Sequence, residues 1–100
     1  MDKQEIENLI LTVPNWFHKI EVSTGIFTPG IQDSKGLLNH VGLPEDLAGL
    51  RVLDIGARDG FFSFECEKRG AKEVIALDYT SADSTGFNVA KQILNSKVEW

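Results

Sequence analysis

The apolar positions of this chain fall into short runs with distinct periods. Ile6, Leu9, Ile10 and Val13 recur at helical spacing, which predicts an amphipathic helix over residues 1–13, stopped by Pro14. Trp16, Phe17, Ile20, Val22, Ile26 and Phe27 are too irregular for one helix. Ile20–Val22 and Ile26–Thr28 instead read as two short strands around a Ser23-Thr24-Gly25 turn, with Thr28-Pro29-Gly30 as a second turn. Leu37, Leu38, Val41 and Leu43 predict another short helix, capped by Asp33 or Ser34. Pro44-Glu45-Asp46-Leu47 reads as a helical turn, with proline early and acids at its N-terminal end.

From Val52 the pattern changes. Val52, Leu53 and Ile55 make a brief apolar run suited to a parallel strand buried on both faces. Gly56 and Gly60 then bracket Ala57, Arg58 and Asp59. A helix follows from about Phe61 to Arg69, with an i, i+4 pair of Glu65 and Arg69 and with Gly70 at its end. Glu73 to Leu77 is the next apolar run, and it stops at Asp78. Thr80 to Gly86 is polar and loop-like. Asp83 or Ser84 is placed to cap a helix whose stripe is Phe87, Ala90, Ile93 and Leu94, and Lys97–Trp100 begins a possible third strand.

A strand, tight turn, helix and second strand of this length require a right-handed crossover between parallel strands. Ligands of open α/β sheets bind beyond the carboxyl ends of the strands. Asp54 and the Gly56–Gly60 turn lie at one such end and Asp78 at the next. Glycines in the turn leave room for a ligand against the main chain. An acid about 20 residues past a glycine turn is placed to accept hydrogen bonds from ribose hydroxyls, so Asp78 is the candidate for the ribose of an adenosine-containing ligand. Tyr79, next to it, either flanks the adenine or simply packs. A dinucleotide site wants G-x-G-x-x-G, and here Arg58 fills the middle-glycine position.

The stretch DIGARDG therefore resembles motif I of the class I S-adenosylmethionine-dependent methyltransferases, and ALD resembles the acidic end of their second strand. WFHKIEV-STGIFTPG followed by LPEDLAGLRVLDIGARDGFFSFECEKRGA is similar, more narrowly, to a subfamily related to the tRNA uridine carboxymethyltransferase. The resemblance implies a Rossmann-like, doubly wound α/β sheet, of which the first two or three strands are present. Helices and a short hairpin-like segment precede it. It implies S-adenosyl-L-methionine as cofactor, with Asp54 near its methionine end and Asp78 on its ribose. Gly56, Ala57, Arg58 and Gly60 would line the cofactor, with Tyr79 and Trp16 beside it. The acceptor is left open between RNA and a small molecule.

The resulting division is an N-terminal helical and cap segment, 1–48, and the N-terminal half of a cofactor-binding domain, 49–100. A complete sheet of that family needs roughly 150 residues or more, so 100 residues read as the first part of a longer enzyme, expected to be inactive alone. Such a piece would leave a sheet edge open, which usually needs a partner, a homo-oligomer being one possibility.

Composition narrows this only modestly. The 42% apolar content allows a core, and the net charge of −5 argues against a nucleic-acid platform formed by this stretch alone. Residues 1–50 carry three basic and seven acidic side chains. The single cysteine, Cys66, excludes an internal disulfide and reads as a buried thiol. No signal peptide, lipidation motif, membrane-length run or metal-ligand cluster is visible, so a cytoplasmic protein without membrane contact is the default.

Four residues keep two readings. Trp16 is either a core aromatic or part of a pocket wall. His18 is either a hydrogen-bonded structural histidine or a general base, and is the one candidate catalytic residue. Lys19 is either solvated or a cation facing the cofactor carboxylate. His40 reads as a surface residue. Two rival functions remain beside methyl transfer: a nicotinamide-dependent oxidoreductase, against which the missing glycine counts, and a non-catalytic module that pairs through its open sheet edge.

Overall fold

A computed structural model describes all 100 residues. It has an α/β architecture of four helices and two small sheets. Helix α1 spans Lys3–Leu11, with Asp2 as its N-cap; the Asp2 carboxylate accepts from the Glu5 N–H at 2.9 Å. Ile6 and Ile10 are its buried face. The Trp16 indole N–H donates to the Ile10 carbonyl at 3.0 Å, which also accepts the Val13 N–H, and so ties Trp16 to the end of the helix.

Strands β1 (Glu21–Ser23) and β2 (Ile26–Phe27) form the expected antiparallel hairpin. Thr28 belongs to its framework rather than to a simple surface turn. Its buried hydroxyl accepts from the Ile20 N–H and donates to the His18 carbonyl. The following segment returns alongside, with the Gln32 N–H donating to the Phe17 carbonyl. Helix α2 spans Ser34–Val41, and the Asp33 carboxylate caps it by accepting from the Gly36 N–H. Pro44–Leu47 forms no helical turn. Asp46 instead accepts from the Ala48 N–H, and the Leu47 N–H donates to the Arg69 carbonyl, so tertiary bonds displace local helix.

Strands β3 (Arg51–Ile55) and β4 (Glu73–Leu77) pair in parallel register, Leu53 beside Ile75 and Ile55 beside Leu77, with α3 (Phe61–Lys68) as the crossover. A single parallel bridge joins Ile75 to Glu99 on the far side of β4. The order in space is therefore β3, β4, then the Glu99 segment. The expectation that the first strand is buried on both faces is not met. Leu53 is 56% and Ile55 74% exposed, because no helix covers the face they share with Leu77. The opposite face, with Val52, Val74 and Ala76, packs against the core.

Helix α4 spans Phe87–Leu94, after a 3-10 turn at Ala82–Ser84. Its N-cap is Gly86, not Asp83 or Ser84. The Asp83 carboxylate accepts from the Asn88 side chain, and the Gly86 N–H is taken by Asp59. One hydrophobic core joins Ile6, Ile10, Trp16, Ile20 and Val22 to Phe61, Phe64, Val74, Phe87 and Val98, so residues 1–48 and 49–100 share a single interior. Phe64 stacks on Phe87 with ring centroids 5.4 Å apart. No helix is long and apolar enough to cross a membrane.

Candidate functional site

The site grows from the ends of the two parallel strands. In this register the residues after Ile55 and after Leu77 emerge side by side. The N–H groups of Gly56 and Ala57 both donate to the Leu77 carbonyl, at 2.7 and 3.0 Å. The Arg58 N–H donates to Oδ2 of Asp78 at 3.0 Å. Oδ1 of Asp78 accepts from the N–H and hydroxyl of Thr80. Partial burial pushes the Asp78 pKa up, but hydrogen bonds from the N–H groups of Thr80 and Arg58 outweigh it and hold the carboxyl below its ordinary range. An ionised carboxylate has about four lone-pair sites, so Asp78 keeps capacity for a hydroxyl-bearing ligand.

A cleft of about 1060 Å³ opens over this junction. Gly56, Arg58, Asp78, Tyr79 and Trp16 all line it, joined by Phe17 from the N-terminal segment. Tyr79 stands at its rim, 96% exposed. Three other candidates from the sequence do not reach it. Ala57 is buried beneath the turn. Gly60, at φ 93°, faces inward, where a Cβ would lie 2.8 Å from both Phe64 and Phe87. Asp54 points to α3, accepting from the buried Ser63 hydroxyl at 2.7 Å. Trp16 is chiefly a core residue: its ring lies against Gly86, where a Cβ would meet it at 2.0 Å.

The residue that sequence reasoning missed is Asp59. Its side chain is fully buried. Oδ2 accepts from the N–H groups of Phe17 and His18 at 2.7 and 2.8 Å, and Oδ1 from the Gly86 N–H at 2.7 Å. Three charge-assisted bonds compensate the desolvated carboxylate. They join the N-terminal segment, the glycine turn and the start of α4, and so hold both walls of the cleft. The only signal in the chain was an acid inside the glycine turn, and nothing local distinguishes a solvated acid there from a buried one.

His18 is buried beside Phe17, Phe61 and Phe62. Its Nδ1 accepts from the Phe61 N–H at 3.4 Å, a long bond at the otherwise uncapped start of α3. Burial lowers its pKa, and the opposing attraction of Asp59 and Asp54 does not restore it. With Nδ1 turned to the helix and no place in the cleft lining, His18 acts as a structural cap in this geometry. Lys19 lies over the Phe27 ring at 5.2 Å, in a separate cavity of about 720 Å³, and does not face the cleft. Burial, then the Asp54 charge, pushes the Cys66 thiol up, as fits an inert buried cysteine.

Chemically the cleft offers one carboxylate, one guanidinium, aromatic walls and the hydroxyls of Thr80, Ser84 and Thr85. No group of three His, Cys, Asp or Glu side chains is arranged to hold a metal ion. No protein-family model matches this chain, and no curated protein matches it.

Proposed function

We infer that the chain is the cofactor-binding part of an S-adenosylmethionine-dependent methyltransferase, built as the first strands of a Rossmann-like sheet. The observation that carries this reading is the Asp78 carboxylate, held ionised beside the Gly56–Arg58 turn at the carboxyl ends of adjacent parallel strands. That is where a ribose diol finds an acceptor and where nucleotide ligands of such sheets bind. The strand order β3, β4, Glu99 agrees with half of a doubly wound sheet. Tyr79 supplies aromatic surface for a base, and the largely buried Trp16 lines the cleft. Methyl transfer is a direct displacement at a sulfonium-bound carbon, which asks the protein to align donor and acceptor and to exclude water. It needs no covalent nucleophile, in keeping with a cleft that holds none of the paired nucleophile–base sets of hydrolases.

The test is isothermal titration with S-adenosylhomocysteine of the parent chain and of Asp78→Ala. Saturable binding in the parent, weakened at least tenfold in the variant, is the expected result. A folded parent that binds neither this ligand nor adenosine would overturn the reading.

One observation favours a second reading, a module that works by pairing with another polypeptide. The outer edge of β3 has no strand partner, and Leu53, Ile55 and Leu77 form an exposed apolar face next to it. Such edges invite strand addition. Concentration-dependent self-association without nucleoside binding is the outcome that would favour it.

A further inference from the structure

Arg58 is the one residue of the glycine turn whose side chain the nucleoside reading leaves without a task. Three features set it apart. Its backbone is left-handed, φ 53°, a region that disfavours side chains, and only one other non-glycine residue of the chain adopts it. That conformation is secured by the bond from the Arg58 N–H to Asp78. Its guanidinium lies 4.5 Å over the Phe17 ring and makes no ion pair with any carboxylate. Finally, it is the only cation lining the cleft, and Asp78 is the only anion.

Arg58 is exposed to solvent and free of any ion pair, so its guanidinium is open to an incoming anion. Here Asp78 spends its oxygens on backbone N–H groups and the Thr80 hydroxyl, while Phe17 holds the guanidinium by its face. With the guanidinium carbon over the ring and no hydrogen bond from its side chain, the N–H groups remain available, and arginine takes carboxylates and phosphates through such groups in bidentate fashion. A strained backbone at such a position points toward function rather than stability.

We propose that Arg58, stacked on Phe17, is the specificity-determining cation of the cleft, and that it receives an anionic group, carboxylate or phosphate, attached to the ligand whose ribose meets Asp78. The assignment rests on the nucleoside reading above. The two anchors are adjacent, since the Arg58 backbone itself touches the Asp78 carboxylate. Because the Arg58 side chain extends away from that backbone to the Phe17 ring, the group it would receive is a substituent that reaches beyond the ribose hydroxyls, as one on the 5′ carbon does. This role replaces the one considered for Lys19, which faces the other cavity. It also gives the arginine at the middle-glycine position a recognition role.

Two ligand pairs test it by calorimetry on the full chain. Adenosine against adenosine 5′-monophosphate isolates a phosphate. Methylthioadenosine against S-adenosylhomocysteine isolates the amino-acid end with its carboxylate. The parent is expected to prefer the charged member of at least one pair by tenfold or more, and the pair that shows the preference identifies the anion. In Arg58→Gly, which keeps the left-handed turn without strain, the ratio of charged to uncharged affinity collapses to near unity, whatever the change in the affinity of the uncharged nucleosides. A preference equally large in Arg58→Gly, or none in the parent, overturns the assignment while leaving the nucleoside site standing. Loss of all four ligands from a folded parent overturns both.

Discussion

The carboxylate of Asp59 receives the backbone N–H of His18 at 2.8 Å, across 41 residues of chain. The same carboxylate takes the N–H groups of Phe17 and Gly86, so the turn after β3 is bolted to both segments that wall the cleft. We expect Asp59→Ala to cost roughly 3 kcal/mol or more, because it strands three buried donors at about 1–3 kcal/mol each. Denaturant titration measures this, and Trp16 fluorescence, read in a Trp100→Phe background that removes the second tryptophan, reports the opening of the N-terminal segment. A loss under about 0.5 kcal/mol, the range of ordinary surface changes, would contradict the clamp.

His18 makes the fold sensitive to mild acid. Its folded pKa lies below the ordinary imidazole value of 6.5 because burial disfavours the charged ring. Between the two values the unfolded chain binds more protons than the folded one, so stability rises with pH there. The stabilisation is complete above pH 6.5 and is lost as pH falls from 6.5 through the folded pKa. Melting temperatures across pH 8 to 5 should show this slope, and His18→Gln should flatten it. An unchanged slope in the variant would assign the sensitivity elsewhere.

For Asp78 the shift has the same direction, in a lower pH window. Its folded pKa lies below the ordinary 3.8, so the carboxylate remains ionised throughout mild acid. Affinity for S-adenosylhomocysteine should therefore stay flat from pH 8 to 5, measured under conditions where the fold is intact. A fall centred near pH 6 would mean that another group receives the ribose.

Gly86 and Gly56 separate packing from backbone strain. A Cβ on Gly86 would lie 2.0 Å from the Trp16 ring, whereas one on Gly56 meets nothing within 4 Å but sits at φ 77°. Gly86→Ala should cost about 1–3 kcal/mol by overpacking and disturb Trp16 fluorescence, read in the same Trp100→Phe background because Trp100 packs on Phe87 nearby. Gly56→Ala should cost about 1–2 kcal/mol from the left-handed backbone alone and leave that fluorescence unchanged. Equal fluorescence changes in both would refute the assignment of Trp16 to the Gly86 contact.

The bare face of the β3–β4 sheet yields a test of association. Ile55 is 74% exposed, so Ile55→Lys should change stability by no more than about 0.5 kcal/mol. If copies of the chain associate through this face, light scattering should show the variant shifted to monomer. A variant that unfolds would show that Ile55 is covered in solution.

The local elements were legible in the chain because they depend on neighbours a few residues apart. Helical spacing marked α1, α2 and α4, while the Glu65–Arg69 pair and Gly70 marked α3. Asp2 is a cap that the pattern did not single out, whereas Asp33 was expected, and both work by bonding N–H groups three residues on. The pairing of Asp78 with the glycine turn was also legible, since a parallel crossover must bring the two strand ends together. Tertiary structure alone decided the rest. It chose Asp59 as the buried clamp, turned His18 to the start of α3, and sent Lys19 to the other cavity. It also left Leu53 and Ile55 bare and set the Leu47 N–H on the Arg69 carbonyl where a helical turn was expected at Pro44–Leu47. These outcomes set donors, charges and surfaces far apart in sequence against one another. Periodicity reports which side of an element is apolar, whereas the fate of a single carboxylate or ring depends on which distant backbone arrives to meet it.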